Sequence, residues 1–331
     1  MTTTHPFRPL PEWAPHDAVW IGFPGDPEEW PTGLSDAQAN VAAFADAVHA
    51  DGAGERVELI ARNEADADIA RSLTGSGIDI SVIPFGDIWL RDTGPIIVSN
   101  GTSRRARGFG FNGWGGKYVM SGDELVPAAL AERAGLPIDE NEWILEGGAI
   151  DGDGTGLAVT TAECLLNPNR NAGVLQQDIE RWLETDLGID RLLWLGHGLH
   201  NDHTDGHVDN LARFVAPGLL AIPEPAGSSD PNRDVYADAA RRARAFGLEI
   251  APLPSPGKFV QDGEIVPASY MNFYIGNAAV VVPTYGRPND DAAIRAIGAL
   301  FPDRQAIGVD ATGIIRGGGS FHCCSQQLPA L

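Results

Sequence analysis

An α/β fold is predicted for this chain from three observations: β-branched runs alternate with helical patterns, linkers are short, and turn-rich landmarks recur along the length. Strand-like runs fall near 57–61, 78–84, 88–98, 156–166, 191–195, 208–222, 248–253, 269–283 and 306–310. Helical periodicity fits 64–74, 122–135, 174–187, 234–246 and 290–301, and also "SDAQANVAAFADAVHADG". In that last stretch Ser35 and Gln38 read as a capping box and Gly52 as a stop. No Pro-, Gly- or Ser-rich linker is long enough to separate one domain from another, so residues 1–331 are expected to form a single domain. Landmarks in which a β-like run meets polar residues or glycine lie near residues 92, 147, 207, 272 and 319, with "VWIGFP" near 20 as an opening strand. About five such units suggest a propeller-like ring around a shared centre.

Composition narrows the function. Of the 331 residues, 43% are apolar and 21% charged, the balance of a globular chain. No apolar run reaches membrane-span length, and "MTTTHPFRPLPEW" has no basic segment leading into an apolar one, so no secretion signal is expected. Three cysteines, two of them adjacent, point to a reducing compartment and a cytoplasmic protein. The net charge of −22 disfavours nucleic acid and anionic membranes and would concentrate a cationic ligand, although an acidic surface also serves solubility alone.

Each chemically suggestive stretch also has a plainer reading. "GHGLHNDHTDGHVDN" carries His197, His200, His203 and His207, which could offer nitrogens to zinc or be an ordinary polar loop. "GGGSFHCCSQQ" places Cys323 after glycines that allow close backbone approach. Cys323 is a nucleophile, a small buried apolar residue, or half of a vicinal disulfide with Cys324. "IWLRDTGPI" sets Arg91 and Asp92 inside an apparent strand, paired with each other or facing a polar site. "ILEGGAIDGDG" puts Glu146 ahead of a glycine pair. On a strand, His207 and Asp209 in "GHVDN" would share a face. "GFGFNG" fits a dinucleotide fingerprint, but "WGGKY" follows where a helix is required, so a glycine-aromatic flap is the better reading. One Cys, one His, two Asp and one Glu, each beside glycine, suit attack on a guanidinium carbon. Carboxylates grip its nitrogens, a thiolate adds, and an imidazole protonates departing ammonia.

"PEWAPHDAVWIGFP", "WLRDTGP", "FNGWGGKY", "LEGGAID", "CLLNPNRN", "GHVDN", "SYMNFYIGN" and "GGGSFHCCSQQ", in that order, resemble the agmatine deiminases of the guanidine-modifying superfamily. The resemblance implies a five-bladed pseudo-symmetric α/β propeller (pentein-like) in a single domain, and hydrolysis of a guanidino to a ureido group with no metal or organic cofactor. It implies Cys323 as nucleophile, His207 as general acid and later base, Asp92 and Asp209 as guanidinium clamp, and Glu146 as a substrate-binding or His207-orienting group. Trp89 and Gly318 are expected to line the substrate pocket, and Cys324 and the other three histidines to be bystanders. Asp205 and Ser320 stand where the family commonly has Asn; the extra carboxylate of Asp205 is expected to raise the pKa of His207. A small cationic guanidino substrate, agmatine, is the expected partner, with a homo-oligomer open. Rivals are a deiminase of free or peptide-terminal arginine, a metallohydrolase built on 197–209, and a non-catalytic guanidinium-binding protein.

Overall fold

The computed structural model describes residues 6–30 and 32–331; the first five residues of the segment scanned for a secretion signal lie outside these. The α/β expectation holds, and one connectivity recurs five times among the described residues. In each case a short strand pairs antiparallel with a longer one, which crosses over through a helix to a parallel third. Ile96–Ser99, Arg104–Gly110 and Ile138–Ile144 form one such set, bridged by the helix Val126–Arg133. Ile150–Gly152, Leu157–Thr161 and Arg191–Leu195 form the next, bridged by Gln176–Leu187. Arg213–Ala216, Leu219–Glu224 and Glu249–Pro254 follow, bridged by Arg233–Phe246. Tyr274–Ile275, Ala279–Thr284 and Gln305–Asp310 are bridged by Asp290–Leu300. The fifth set joins the two ends of the chain. Ser325–Pro329 pairs antiparallel with His16–Gly22, which crosses through Leu34–His49 to Arg56–Ala61.

The physical origin of these elements is ordinary. Middle strands covered on both faces read as continuous apolar runs, as in "AVVVPT" at Ala279–Thr284, whereas "RRARGFG" at Arg104–Gly110 is mostly half-buried. The crossover helices are amphipathic: Ile179, Leu183 and Leu187 recur at helical spacing on the buried side of Gln176–Leu187, as do Tyr236, Ala239 and Ala243 on Arg233–Phe246. No helix among the described residues is long and apolar enough to cross a membrane.

Several local expectations are corrected. Residues 88–98 are not one strand: Leu90–Thr93 makes a single helical turn and the strand is confined to Ile96–Ser99. Likewise 208–222 opens with a 3-10 turn, Val208–Asn210, so His207 and Asp209 do not share a strand face. The helix expected to start on a Ser35/Gln38 capping box starts at Leu34 behind Gly33, whose φ of 85° lets the chain turn in. Gln38 instead donates from Nε2 to the Pro24 carbonyl at 3.0 Å.

Short turns precede the antiparallel strands, and packing fixes them to the core. Phe44, on Leu34–His49, stacks on Phe321 at 4.7 Å and 16° and meets Tyr274 edge-on at 5.7 Å. All three rings are fully buried. Phe44 thus ties the first crossover helix to the turn carrying Cys323. Replacing Phe44 with Ala should cost about 3–5 kcal/mol in urea unfolding, the usual loss for a buried aromatic; an unchanged midpoint and slope would show that this packing does not hold the turn.

Candidate active site

Five turns converge, one from each set of strands. Asp92 sits on Leu90–Thr93, Glu146 just before the 3-10 turn Gly147–Ala149, and His207 and Asp209 at Val208–Asn210. Asn272 ends Tyr270–Asn272, and Cys323 follows the turn Ile314–Gly317. Hydrogen bonds run from turn to turn. Gly148 N donates to Asp92 Oδ1 at 2.9 Å. Asn272 Nδ2 donates to Asn210 Oδ1 at 2.8 Å and to Cys323 Sγ at 3.0 Å. Asn272 Oδ1 accepts from the Cys323 amide at 3.2 Å, and Arg91 N donates to the Cys323 carbonyl at 3.0 Å.

The structure brings Cys323, His207, Asp92, Asp209 and Glu146 into one buried centre. Cys323 Sγ lies 3.4 Å from Asp209 Oδ2, and His207 Nδ1 lies 3.6 Å from Asp92 Oδ1. The glycine pair of "LEGGAID" makes this approach possible. A Cβ on Gly148 would lie 2.7 Å from His207 Nδ1 and 2.8 Å from Asp92 Oδ1, and one on Gly147 would lie 2.2 Å from the Arg91 carbonyl oxygen.

The carboxylates are held differently. Asp92 Oδ2 accepts from the Trp114 indole at 2.9 Å. Burial and the nearby charge of Asp209 nevertheless push its carboxyl up, against the pull of His207. Asp209 is held down despite its burial, chiefly by His322, whose Nδ1 lies 2.8 Å from Oδ2. Glu146 Oε1 accepts from Arg170 Nε at 2.6 Å. Left without a hydrogen-bond partner are Glu146 Oε2, Asp209 Oδ1 and both ring nitrogens of His207, all fully buried.

Burial, then the charges of Asp209 and Asp92, push the Cys323 thiol well above its ordinary range. Burial alone would depress His207, but Asp92, Cys164 and Glu146 raise it well above that of a free imidazole. The expected contribution of Asp205 is not the cause. That carboxylate is taken up by Lys117 at 2.7 Å, Arg170 at 2.5 Å and Asn169 at 2.9 Å. Nor do Arg91 and Asp92 pair with each other: the nearest acid to Arg91 is Glu12, at 3.7 Å.

Cys323 and Asp92 open onto a cavity of about 470 Å³. Trp89 forms part of its wall, with Gly317 and Gly319 packed so closely that a Cβ on either would lie within 2.9 Å of the indole. Gly318, at φ 98°, also lines it. His203, expected to be a bystander, is another lining residue, whereas the His197 ring is largely exposed beside Glu163. Asp87 and Glu29 add carboxyls to the wall. Both are pushed up, first by burial and then by a neighbouring acid: Asp123 beside Asp87, and Asp87 beside Glu29. Arg316 is the cavity's cation and is already paired with Asp262 at 2.8 Å.

All three cysteines are free, so Cys323 and Cys324 form no vicinal disulfide. Among the described residues, one group could hold a metal ion: Glu146, Cys164 and His207, with donor atoms within 4.8 Å of one another. It draws a single member from the four-histidine stretch, and the Arg170 guanidinium bound to Glu146 opposes a further cation there. Asn272, Trp114, Arg170, Cys164 and His322 were not singled out by sequence reasoning. The signal that could have found them was their place inside the motifs "SYMNFYIGN", "FNGWGGKY", "CLLNPNRN" and "GGGSFHCC".

A family model described as Porphyromonas-type peptidyl-arginine deiminase matches residues 8–329. The chain belongs to that family. Its members are enzymes that act on the guanidino group, which fits a thiol, an imidazole and carboxylates gathered in one buried centre. A Pectobacterium atrosepticum relative whose name places it with the agmatine deiminases is 36% identical, over 99% of this chain and 97% of its own. The structure of an Enterococcus faecalis agmatine deiminase superposes with a TM-score of 0.90 at 30% identity, covering 99% of this chain and 98% of the other. A Campylobacter jejuni agmatine deiminase carrying a Cys-to-Ser change, with substrate bound, gives 0.91 at 27% identity, covering 100% and 98%.

Two outcomes follow from the geometry. Gly148→Ala should leave the protein folded yet lower kcat/KM by about 100-fold, because displacing Asp92 and His207 by even 1 Å is that costly; circular dichroism and steady-state rates check it. In the free enzyme, alkylation of Cys323 by iodoacetamide should be slow at pH 7 and still be accelerating above pH 9, since the thiolate is the reactive form; a rate that levels off near neutrality would contradict the burial argument.

Proposed function

We propose that the chain is an agmatine deiminase, hydrolysing agmatine to N-carbamoylputrescine and ammonia through a Cys323 thiouronium. The observation that carries the reading is the buried Asp209 Oδ1, without a partner, beside a thiol 3.4 Å from the same carboxylate. A guanidinium supplies both needs: N–H donors for the carboxylate, and positive charge that favours ionising a sulfur otherwise held protonated.

In this mechanism Asp92 and Asp209 grip the guanidinium nitrogens, and Glu146 binds substrate or orients His207. Cys323 passes its proton to the site's carboxylates as substrate binds, and Sγ forms a bond to the central carbon. The raised pKa of His207 keeps the ring protonated at neutral pH, so it gives its proton to the departing nitrogen as the C–N bond breaks. The neutral ring then takes a proton from water, whose oxygen attacks the thiouronium carbon. The C–S bond breaks as the hydroxyl proton passes to sulfur, which leaves the ureido product and restores the Cys323 thiol. The proton taken up by the carboxylates departs with ammonia as ammonium.

Trp89 flanks the aliphatic chain and Gly318 lets the backbone approach it. The carboxyls of Asp87 and Glu29 favour a substrate with a second positive charge. The arginine alternative would want a free cation for the α-carboxylate, and Arg316 is engaged with Asp262. We assign the whole chain, 1–331, to one deiminase domain with its five strand sets arranged as a propeller. Contacts between successive turns, from Gly148–Asp92 round to Cys323–Arg91, support that arrangement. No step of the mechanism calls for a metal or an organic cofactor. The three cysteines and net charge of −22 support a cytoplasmic enzyme that does not bind nucleic acid.

An assay of ureido product and ammonia across agmatine, arginine and arginine-terminated peptides should show the highest kcat/KM for agmatine, undiminished by chelator. Cys323→Ser should lose about 10³-fold or more in kcat and form no covalent adduct. Normal turnover by that variant, or a preference for arginine, would overturn the assignment of nucleophile or substrate respectively. Because His207 is raised above the ordinary imidazole value, its acid form survives through pH 6.5. The basic limb of kcat should therefore fall at a higher pH than an unperturbed histidine would give; a limb centred near 6.5 would assign the acid elsewhere.

A further inference from the structure

Behind Asp209 lies a buried chain of alternating charges that the proposed mechanism does not use. His322 Nδ1 meets Asp209 Oδ2 at 2.8 Å, and His322 Nε2 meets Glu12 Oε2 at 2.8 Å. Glu12 Oε2 also accepts from Arg213 Nη2 at 2.7 Å, and Arg213 Nε donates to Asp151 Oδ2 at 2.6 Å. Glu12 Oε1 accepts the amide of Ile275 at 2.8 Å. Beyond Asp209, none of these residues faces the substrate cavity. Glu12, His322, Arg91 and Asp151 line a separate space of about 80 Å³ that shares no wall residue with it.

An ionised carboxylate only accepts hydrogen bonds. A ring with a carboxylate at each nitrogen must therefore donate from both, which is the imidazolium form. Glu12, held ionised by Arg213, His322 and Arg91 against the cost of its burial, secures one side of that ring. The ring then secures Asp209, and this leaves Asp209 Oδ1 as the free atom.

We propose that Glu12 and His322 are positioning residues for Asp209, fixing through one imidazole ring both the rotamer and the charge of the carboxylate that grips the guanidinium. This rests on the deiminase reading, but neither residue touches substrate in it. The charged and titratable groups around Asp209 are His322, His207, Cys323, Asp92, Asp202 and Arg213. Those around Glu12 are Arg213, His322, Arg91, Asp151 and Tyr274. Removing the Glu12 charge takes away the acceptor that fixes the second nitrogen of the His322 ring. Asp209 then loses a cationic donor and takes up a proton at higher pH than before. The acidic limit of guanidinium binding moves upward.

The experiment is calorimetric titration of agmatine into the Cys323→Ser protein between pH 5 and 9, alone and combined with Glu12→Gln or His322→Gln. Glu12→Gln keeps the side-chain length and an acceptor for Ile275. His322→Gln leaves the Glu12–Arg213 pair intact, so it serves if the first variant does not fold. At least tenfold weaker binding in either variant, with the acidic limb displaced upward by about one pH unit, is expected. An identical affinity and limb would overturn the proposal, as would failure of the Cys323→Ser parent to bind agmatine. Ammonia release by the wild-type enzyme is measured separately. Its absence while binding persists would defeat the deiminase reading and leave the positioning role standing.

Discussion

The arrangement of this protein follows from a single electrostatic demand, that three carboxylates stay buried around a thiol. Asp92 is 5% exposed, and Glu146 and Asp209 are fully buried. Water cannot solvate them, so every charge needs a donor supplied by the fold. Asp92 takes an indole and a backbone amide, Glu146 an arginine, and Asp209 a histidine that is itself held by Glu12. These donors leave two buried carboxylate oxygens bare, Glu146 Oε2 and Asp209 Oδ1. Each of these two bare oxygens costs about 1–3 kcal/mol, and a planar cation with several N–H groups would answer that deficit.

Such a centre needs backbones closer together than side chains normally allow, which explains the glycines beside the functional residues. Gly148 lets Asp92 and His207 approach, and Gly317 and Gly319 let Trp89 lie flat against the turn that carries Cys323. Asn272 completes the turn by bonding the sulfur with its amide nitrogen while its oxygen receives the amides of His322 and Cys323. One side chain thus fixes both the sulfur and the backbone of Cys323.

Much of this was legible in the sequence, for a local reason. Asp92, Glu146, His207, Asp209 and Cys323 each stand within four residues of a glycine in a turn-rich stretch, a pattern that a few consecutive residues display. The crossover helices were legible because amphipathic spacing is also local: the pattern at 174–187 became Gln176–Leu187. Residues 88–98 misled because Ile88, Trp89 and Leu90 are as apolar as a strand, and only packing against the Cys323 turn shows that they enter a helical turn instead. Glu12 could not be found this way. Its partner His322 is 310 positions distant, and the only local signal was its place inside the motif "PEWAPHDAVWIGFP". Asp205 was legible as a departure from pattern but not in effect, because Lys117 and Arg170 reach it from other regions of the chain.

The sheet made from both ends of the chain bears on the order in which the molecule can be completed. His16–Gly22 emerges early in synthesis and gains Arg56–Ala61 soon afterwards, but its other edge stays open until Ser325–Pro329 exists. Closing that contact spans nearly the whole polypeptide, the kind of nonlocal pairing that slows folding and leaves an edge exposed meanwhile. The same closure carries the sulfur to its carboxylates. The buried centre is therefore complete only once Ser325–Pro329 has joined His16–Gly22.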